Sequence, residues 1–455
     1  MAGITIYEFQ VLVADNCTLP NESNVSYVPV HVFAWLETQA LRVAEVGETS
    51  WLKLTQNCGR RAVQVTHFVG VFRAPNGYQI EVLPKVAKTQ ANGAGDGEAR
   101  RLLIEMLRCL GGFRHIQTDS AQLAATNMPL LEVFIAEFLR SVEHVVKRGM
   151  RSDYNTQQDN RFALRGKLLM ASHLRYNVCR RDRFFIEFDE FSSNRPENRL
   201  LHAALQRVLA WTASPSNQQL ARELCFVFAD VPVSTQPSSD FQRVRLDRGM
   251  AHYDGALAWA RLIFEYESPL TGAGGHQAPS LLFPMQAVFE AFVAKHLARQ
   301  LKTPFTLHTQ VCSHSLVRHI DQNWFRLKPD LLVKEGQENR VVLDTKWKLV
   351  DSQQANGSKK YGLSQSDFYQ LYAYGQNYLN GRGDLVLIYP STVDFNMPLP
   401  VFDFPNSENL RLWVLPFCLN CKRLIPPLNE SVNALFTWVE AGTPCNACAQ
   451  AKVVG

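Results

Sequence analysis

One stretch constrains this chain more than any other: Phe325-Arg-Leu-Lys-Pro-Asp-Leu-Leu-Val333, a polar turn over Lys334 to Asn339, and Arg340-Val-Val-Leu-Asp-Thr-Lys-Trp-Lys348. Two aliphatic runs flanking a short polar segment specify a β-hairpin. Asp330 begins its first strand. Side chains alternate along the second, so Val342, Asp344, Lys346 and Lys348 share one face while Val341, Leu343 and Thr345 take the other. Such a hairpin gathers two carboxylates and an ammonium. The carboxylates repel, and a bridging divalent cation relieves the repulsion. Mg²⁺ takes oxygen ligands and keeps several waters, so Asp330 and Asp344 are the expected ligands, with a water held near a phosphate. Lys346 is suited to orienting that water and to offsetting charge that grows on the phosphorane. The Thr345 carbonyl is a candidate backbone ligand. A surface hairpin with charged edges accounts for the same spacing.

The flanking segments narrow the choice. Pro284 to Leu301 reads as an amphipathic helix, with Met285, Val288, Phe289, Phe292, Val293 and Leu297 as its apolar stripe and Pro284 suited to its first turn. Glu290 sits at the edge of that stripe, either reaching the metal site or simply solvated. After the hairpin, Ser366 to Tyr374 opens another helix, followed by a strand from Asp384 to Tyr389. Asp367 reads as a helix-start residue and Tyr374 as packing. Gln370 is a candidate for binding phosphate or water, or a structural residue, and Lys348 is either a phosphate contact or a solvated edge lysine. The order helix, strands, helix, strand is that of a small α/β nuclease core. Pro-Asp, thirteen intervening residues and Asp-x-Lys resemble the signature of the PD-(D/E)xK nucleases.

At 455 residues the chain is too long for one hydrophobic core. Apolar residues at 46% and charged residues at 20% describe a folded, multi-domain α/β protein rather than a disordered one. A net charge of +5 and a pI near 8.6 permit nucleic-acid binding without requiring it. The absence of a run of about 18 apolar residues argues against a membrane span, and the first residues lack the basic start of a secretory signal. Residues 1 to about 90 read as β-rich, with apolar runs at Val30 to Trp35 and Ala62 to Phe72, and a hairpin turning at Ala74-Pro-Asn-Gly77. Helices are expected over Glu98 to Leu110, Pro129 to Lys147 and Asn198 to Thr212, and short strands over Phe162 to Leu169 and Phe184 to Phe188. Ser234 to Asp240 has the composition of a surface loop. Pro269 to Pro279 looks like a flexible connection and marks the main boundary. Four segments result: a β-rich and helical region at 1–160, connecting strands and helices at 161–279, the nuclease core at 280–417, and a tail at 418–455.

Several separate segments resemble McrC, the nuclease subunit of McrBC modification-dependent restriction systems. They are Gly70-Val-Phe72 with Gln79-Ile-Glu-Val-Leu-Pro-Lys85; Leu164-Arg-Gly-Lys-Leu168; Phe188-Asp-Glu-Phe-Ser192 followed by Pro196-Glu-Asn-Arg-Leu-Leu201; Phe289-Glu290; the hairpin from Pro329-Asp330 to Lys346-Trp-Lys348; and Asp367-Phe-Tyr-Gln-Leu-Tyr-Ala-Tyr374. The resemblance implies catalytic roles for Glu290, Asp330, Asp344, Lys346 and Gln370. It also implies double-stranded DNA as substrate and a partner, an McrB-like AAA+ GTPase hexamer that recognises modified cytosine. The N-terminal region would dock on that partner and stimulate its GTPase. Consistent with such a division, the chain carries no phosphate-binding G-x-x-x-x-G-K-[ST] loop.

The tail departs from the family. Cys418-Leu-Asn-Cys421 and Cys445-Asn-Ala-Cys448 are separated by twenty-three residues, a spacing suited to a four-thiolate structural Zn²⁺ site, with reduced or disulfide-linked pairs as the alternative. The other six of the ten cysteines are scattered singly, and together they suggest a reducing, cytoplasmic setting. Three other readings remain open: a nuclease-inactive GTPase-activating adaptor, a stand-alone repair or resolvase nuclease of the PD-(D/E)xK type, and a zinc-dependent nucleic-acid-binding regulator.

Overall fold

The computed structural model describes residues 3–15, 24–46, 51–74, 77–86, 95–110, 128–265, 280–355, 359–407, 409–427 and 436–440. The chain is α/β throughout and divides into two compact units. One is centred on Met128–Leu281; the other joins Ala2–Arg114 to Leu282–Gly455. This cuts the chain differently from the four segments drawn above. Helix Leu130–Arg148 and strand Asp153–Arg161 group with the residues that follow them, and the N-terminal strands group with the C-terminal half.

In the larger unit the N-terminal residues build two small sheets. In the first, Gly3–Tyr7 runs parallel to Gln79–Leu83, which pairs antiparallel with Phe68–Arg73. This second pairing is the hairpin expected around Ala74 to Gly77. The Ala62 to Phe72 run is two strands, Arg60–Val65 and Phe68–Arg73, broken at Thr66-His67. Val30 to Trp35 is not a strand: it opens the helix Val30–Val46. Its buried residues Val32, Phe33, Leu36 and Ala40 recur at helical spacing, a period too long for a six-residue window to reveal. These residues pack with Leu12, Val63, Val65, Phe72, Ile80, Val82 and Leu282 in one core.

The C-terminal half centres on a seven-stranded sheet. Phe305–Thr309, Leu331–Glu335 and Glu338–Thr345 are antiparallel neighbours; Gly383–Pro390 and Leu410–Cys418 then continue the sheet in parallel. Glu338–Thr345 is therefore a central strand, buried along its last five residues. Both faces need cover, and both Met285–Leu297 and Gln365–Tyr378 pack against it. On the second helix Leu371 and Tyr374 share a core with Val342, Leu385, Leu387, Leu410 and Val414. Gly375 permits this close approach: a Cβ there would lie 2.7 and 2.9 Å from the methyls of Leu410 and 3.2 Å from Leu385.

The smaller unit is built on helices Leu130–Arg148, Pro196–Trp211, Pro215–Val227 and Asp254–Glu265. It also carries an antiparallel sheet in which Phe184–Ser192 lies between Asp153–Arg161 and Lys167–Leu168. The strand expected over Phe162 to Leu169 is thus confined to Lys167–Leu168, because the preceding residues leave the sheet before turning at Gly166 (φ 74°). A Cβ on Gly166 would meet the Glu187 carbonyl oxygen at 2.3 Å, so only glycine fits. Ser234 to Asp240, expected as loop, includes the start of the short helix Pro237–Arg243. Glu132 ties this unit together: its carboxylate accepts from Thr212 Oγ1 (2.6 Å), Ala213 N (2.7 Å) and Asn217 Nδ2 (2.8 Å).

The close packing at Gly375 yields a stability prediction. Gly375→Val forces Leu410 and Leu385 to move, an overpacking cost of about 1–3 kcal/mol. A thermal melt is expected to show a lower midpoint, whereas Gly97→Ala, with open space around its Cβ and no left-handed backbone, changes the midpoint less.

Candidate active site

Asp330 directly precedes strand Leu331–Glu335, and Asp344 is the penultimate residue of Glu338–Thr345. Leu331 lies opposite Leu343 in the register, so the turn brings the two acids to the same end of the hairpin. Asp330 is fixed by its own hairpin: its Oδ2 accepts from Thr345 N and Thr345 Oγ1, both at 2.8 Å. Asp344 is 1% exposed and forms an ion pair with Lys346 through Oδ2. Its Oδ1 has no hydrogen-bond partner among the described residues. Burial, then the neighbouring Asp330 charge, push the Asp344 carboxyl well above the ordinary range against the pull of Lys346. Burial alone would lower the Lys346 ammonium, but the carboxylate of Asp344 outweighs it and holds the group above its usual value.

Two helices complete the site. On Met285–Leu297, Glu290 lies within electrostatic reach of Asp330, Lys328 and Lys346, and its Oε1 accepts from Gln310 Nε2 at 2.9 Å. Burial and Asp330 raise its carboxyl as well. On Gln365–Tyr378, Gln370 Oε1 accepts from Lys346 Nζ at 3.2 Å. Gln370 Nε2 donates to the Tyr374 hydroxyl at 2.8 Å, which in turn donates to the Lys328 carbonyl at 3.0 Å. Tyr374, expected only to pack, thus also orients Gln370. Asp367 does more than start a helix: it is buried and paired with Lys348 Nζ at 2.8 Å, which accounts for Lys348. The structure therefore brings together Glu290, Asp330, Asp344, Lys346 and Gln370.

Four residues that brace this site were given no role in the expectations above: Trp347, Gln286, Glu8 and Lys85. Trp347 is 4% exposed, and each of its polar atoms is engaged. Its N donates to Gln286 Oε1 (2.9 Å), its Nε1 to Glu8 Oε2 (2.9 Å), and its carbonyl accepts from Lys85 Nζ (3.3 Å). Gln286 Nε2 also donates to the Thr345 carbonyl, which engages one face of that candidate ligand. Lys346 N donates to the Ile388 carbonyl at 2.9 Å. The segment carrying Lys346 is held on both sides. Glu8 and Lys85 lie far from it in sequence, and the only trace of them was Lys85 closing the Gln79–Lys85 segment.

The donor set suits a hard divalent cation. A buried carboxylate with an unpartnered oxygen, beside a second carboxylate, is strained until positive charge arrives. Among the described residues no group of three or more His, Cys, Asp or Glu is arranged to hold a metal ion. At the C-terminal CxxC, Cys418 is buried and its Sγ accepts from Cys421 N at 3.3 Å, while Cys421 is disulfide-bonded. Cys445 and Cys448 lie outside the described residues.

Two hairpin acids and a lysine thus stand together at one end of a mixed sheet. The chain matches the family model for the McrBC 5-methylcytosine restriction system component over residues 63–390, and it belongs to that family. Its fold is similar to a chain in the refined half-complex from the tetradecameric assembly of Thermococcus gammatolerans McrB AAA+ hexamers with bound McrC. The TM-score is 0.65 at 19% identity, covering 99% of this chain and 98% of that one. A second chain, from the Thermococcus gammatolerans McrBC complex, aligns with a TM-score of 0.48 at 22% identity over 66% of this chain and 88% of that one. No curated protein matches the chain significantly. Among the described residues no helix is long and apolar enough to cross a membrane.

Glu8 supports a pH prediction. Burial raises its carboxyl to about 7, only partly offset by Trp347 and Lys85. A raised acid contributes stability that is fully present below about pH 4.5 and lost as the pH climbs through 7. Glu8→Gln keeps the acceptor for Trp347 without the buried charge. It is expected to flatten this part of the profile and to gain about 1–3 kcal/mol at pH ~8 relative to the parent chain, read from denaturant melts at both ends of that range.

Proposed function

We propose that this chain is the DNA-cutting subunit of an McrBC-type restriction complex, hydrolysing phosphodiester bonds at the site formed by Asp330, Asp344 and Lys346. One observation carries the reading: a buried Asp344 with a bare oxygen, next to Asp330 and joined to Lys346. The hairpin and its two flanking helices correspond to a PD-(D/E)xK nuclease core. Asp330 and Asp344 would hold Mg²⁺, with Glu290 lending a third acidic side chain nearby. The ion, when bound, supplies Lewis acidity toward the phosphate and acidifies a water.

The chain's own residues supply the remainder. Lys346, paired with Asp344 in this structure, would use its ammonium to orient the attacking water and to neutralise charge growing on the phosphate oxygens. Gln370, oriented by Tyr374, keeps Lys346 pointed into the site and accepts the hydrogen bond it would otherwise lose. Glu290, raised by burial, is placed to take or relay the proton of the water. Trp347, locked by Glu8, Lys85 and Gln286, fixes the backbone from which Lys346 extends.

The partner reading follows from the family and the fold. We infer that an McrB-like AAA+ GTPase hexamer recognises modified cytosine, that this chain docks on it and stimulates its GTPase, and that cutting follows. The setting would be cytoplasmic anti-phage defence. Cys418, Cys421, Cys445 and Cys448 would hold a structural Zn²⁺; the N–H···S bond at Cys418 is of the kind that stabilises thiolate charge at such turns.

Asp344→Ala and Lys346→Ala are each expected to lower DNA cleavage by the assembled complex at least ~100-fold, while GTP hydrolysis stays stimulated. Full cutting by both variants sinks the enzyme reading; cutting by the wild-type chain alone with Mg²⁺, without GTPase or GTP, identifies a stand-alone nuclease instead. A parent complex that stimulates GTP hydrolysis but never cuts identifies an adaptor. For the tail, elemental analysis of the reduced chain is expected to find about one zinc per chain, lost in Cys445→Ser; a zinc-free parent chain excludes the metal.

A further inference from the structure

The strands His314–His319 and Gln322–Leu327 pair only with each other among the described residues. They form a two-stranded ribbon that runs directly into Lys328-Pro329-Asp330. Nearly every side chain along it is exposed, and Leu327 is the one that is buried. At its tip Ile320 is 83% exposed, and nearer the root Phe325 is 69% exposed, with Leu316, Val317 and Trp324 also open to water. Ile320 (φ 44°), Asp321 (φ 59°) and Phe325 (φ 55°) hold left-handed backbone, which a β-branched or aromatic residue adopts only at a cost. Strain and exposed apolar surface concentrated in one small element mark a binding surface rather than a packing one.

The chemistry around these residues says what it binds. From His314 to Lys328 the basic side chains are Arg318, Arg326 and Lys328, with His314 and His319 beside them. Asp321 is the single carboxylate, and it is already tied to Arg318 at 2.7 Å. Arg326 forms no ion pair among the described residues. An apolar face meant for a second copy of the chain would be depleted of charge at its centre; this one alternates cations with rings. The His319 ring packs on Trp324 at 4.9 Å, which stiffens the platform. The root is rigid and shares its fixings with the acids. Tyr378, on the helix that carries Gln370, has its hydroxyl 2.8 Å from the Leu327 carbonyl and 2.9 Å from that of Val311. Tyr374 holds the Lys328 carbonyl, and Gln310 bonds both the Asp330 carbonyl (2.9 Å) and Glu290.

We propose that the ribbon His314–Leu327 is a DNA-docking arm that enters a groove of the duplex and sets the phosphate to be cut against Asp330, Asp344 and Lys346. Arg326 contacts the backbone, and Ile320, Trp324 and Phe325 lie against bases. A two-stranded ribbon fits the major groove, and protruding apolar side chains can wedge between base steps. The proposal rests on the nuclease reading for the fate of the phosphate, but not for the contact itself.

The test uses the assembled complex with its AAA+ partner and a fluorescein-labelled duplex carrying modified cytosine. Arg326→Ala and the pair Trp324→Ala with Phe325→Ala are compared with the parent for duplex affinity, KM and kcat. Each is expected to weaken duplex binding and raise KM roughly tenfold while leaving kcat within about twofold. Arg326→Ala should also reduce the salt dependence of binding by about one counterion, and Arg326→Lys should restore most of it. All three residues are exposed, so thermal midpoints should not move. Unchanged affinity and salt slope overturn the arm. So does a loss of complex mass or of stimulated GTP hydrolysis, which would make the ribbon a protein interface. A parent complex that binds but does not cut, with binding still weakened in the variants, removes the nuclease reading and leaves the arm standing.

Discussion

The charge of Asp344 is the constraint around which the larger unit is built. A carboxylate at the end of a fully buried central strand costs several kcal/mol unless opposite charge is supplied. Here Lys346 supplies part of it, and one oxygen is still unserved. Asp330 and Glu290 worsen the repulsion rather than relieve it. Nothing in the packing of the sheet requires this, since an apolar residue at the same position would be more stable. Folds carry such a penalty where it serves a site, and clustered, partly buried acids beside a lysine are the feature on which the proposed function rests.

Tolerating that cluster demands rigidity nearby. The backbone from Thr345 to Trp347 is bonded to Asp330, Gln286, Ile388 and Lys85, and the Trp347 indole to Glu8. These partners come from the hairpin, the preceding helix, the neighbouring strand and the N-terminal sheets. The last is the unexpected contributor. Glu8 and Lys85 themselves stay under tension: Glu8 keeps one oxygen without a partner, and burial lowers the ammonium of Lys85. The N-terminal region is therefore part of the mounting of Lys346, and a force or ligand acting on those sheets reaches the lysine through one tryptophan.

Membership of the McrBC family and the likeness to the Thermococcus chain fix the architecture, but fold alone does not fix activity. Function rests on the side chains at the end of the hairpin, and these stand on three different supports. Gln370 depends on Tyr374, Tyr374 on the carbonyl of Lys328, and Lys328 leads into Asp330. The ribbon that precedes Lys328 is rooted in the same tyrosine-bearing helix, so substrate contact and acid geometry share one foundation.

Much of this site was legible in the sequence because its determinants are local. Alternation along Arg340 to Lys348 places Asp344 and Lys346 on one face whatever surrounds them, and a short turn must return Asp330 beside them. The helical stripe from Met285 to Leu297 likewise carries its own period, with Glu290 on its rim. Val30 to Trp35 misled because six apolar residues fit a strand or a helix equally, and only Leu36 and Ala40 packing into the core decides. Trp347, Glu8 and Lys85 could not be paired from sequence: hydrogen bonds spanning 339 and 262 residues leave no mark on local pattern. The same holds for burial of Asp344. Its position on a strand was written in the chain, but its exclusion from water came from helices and sheets closing over it, and that exclusion is what turns an ordinary aspartate into a cation-seeking one.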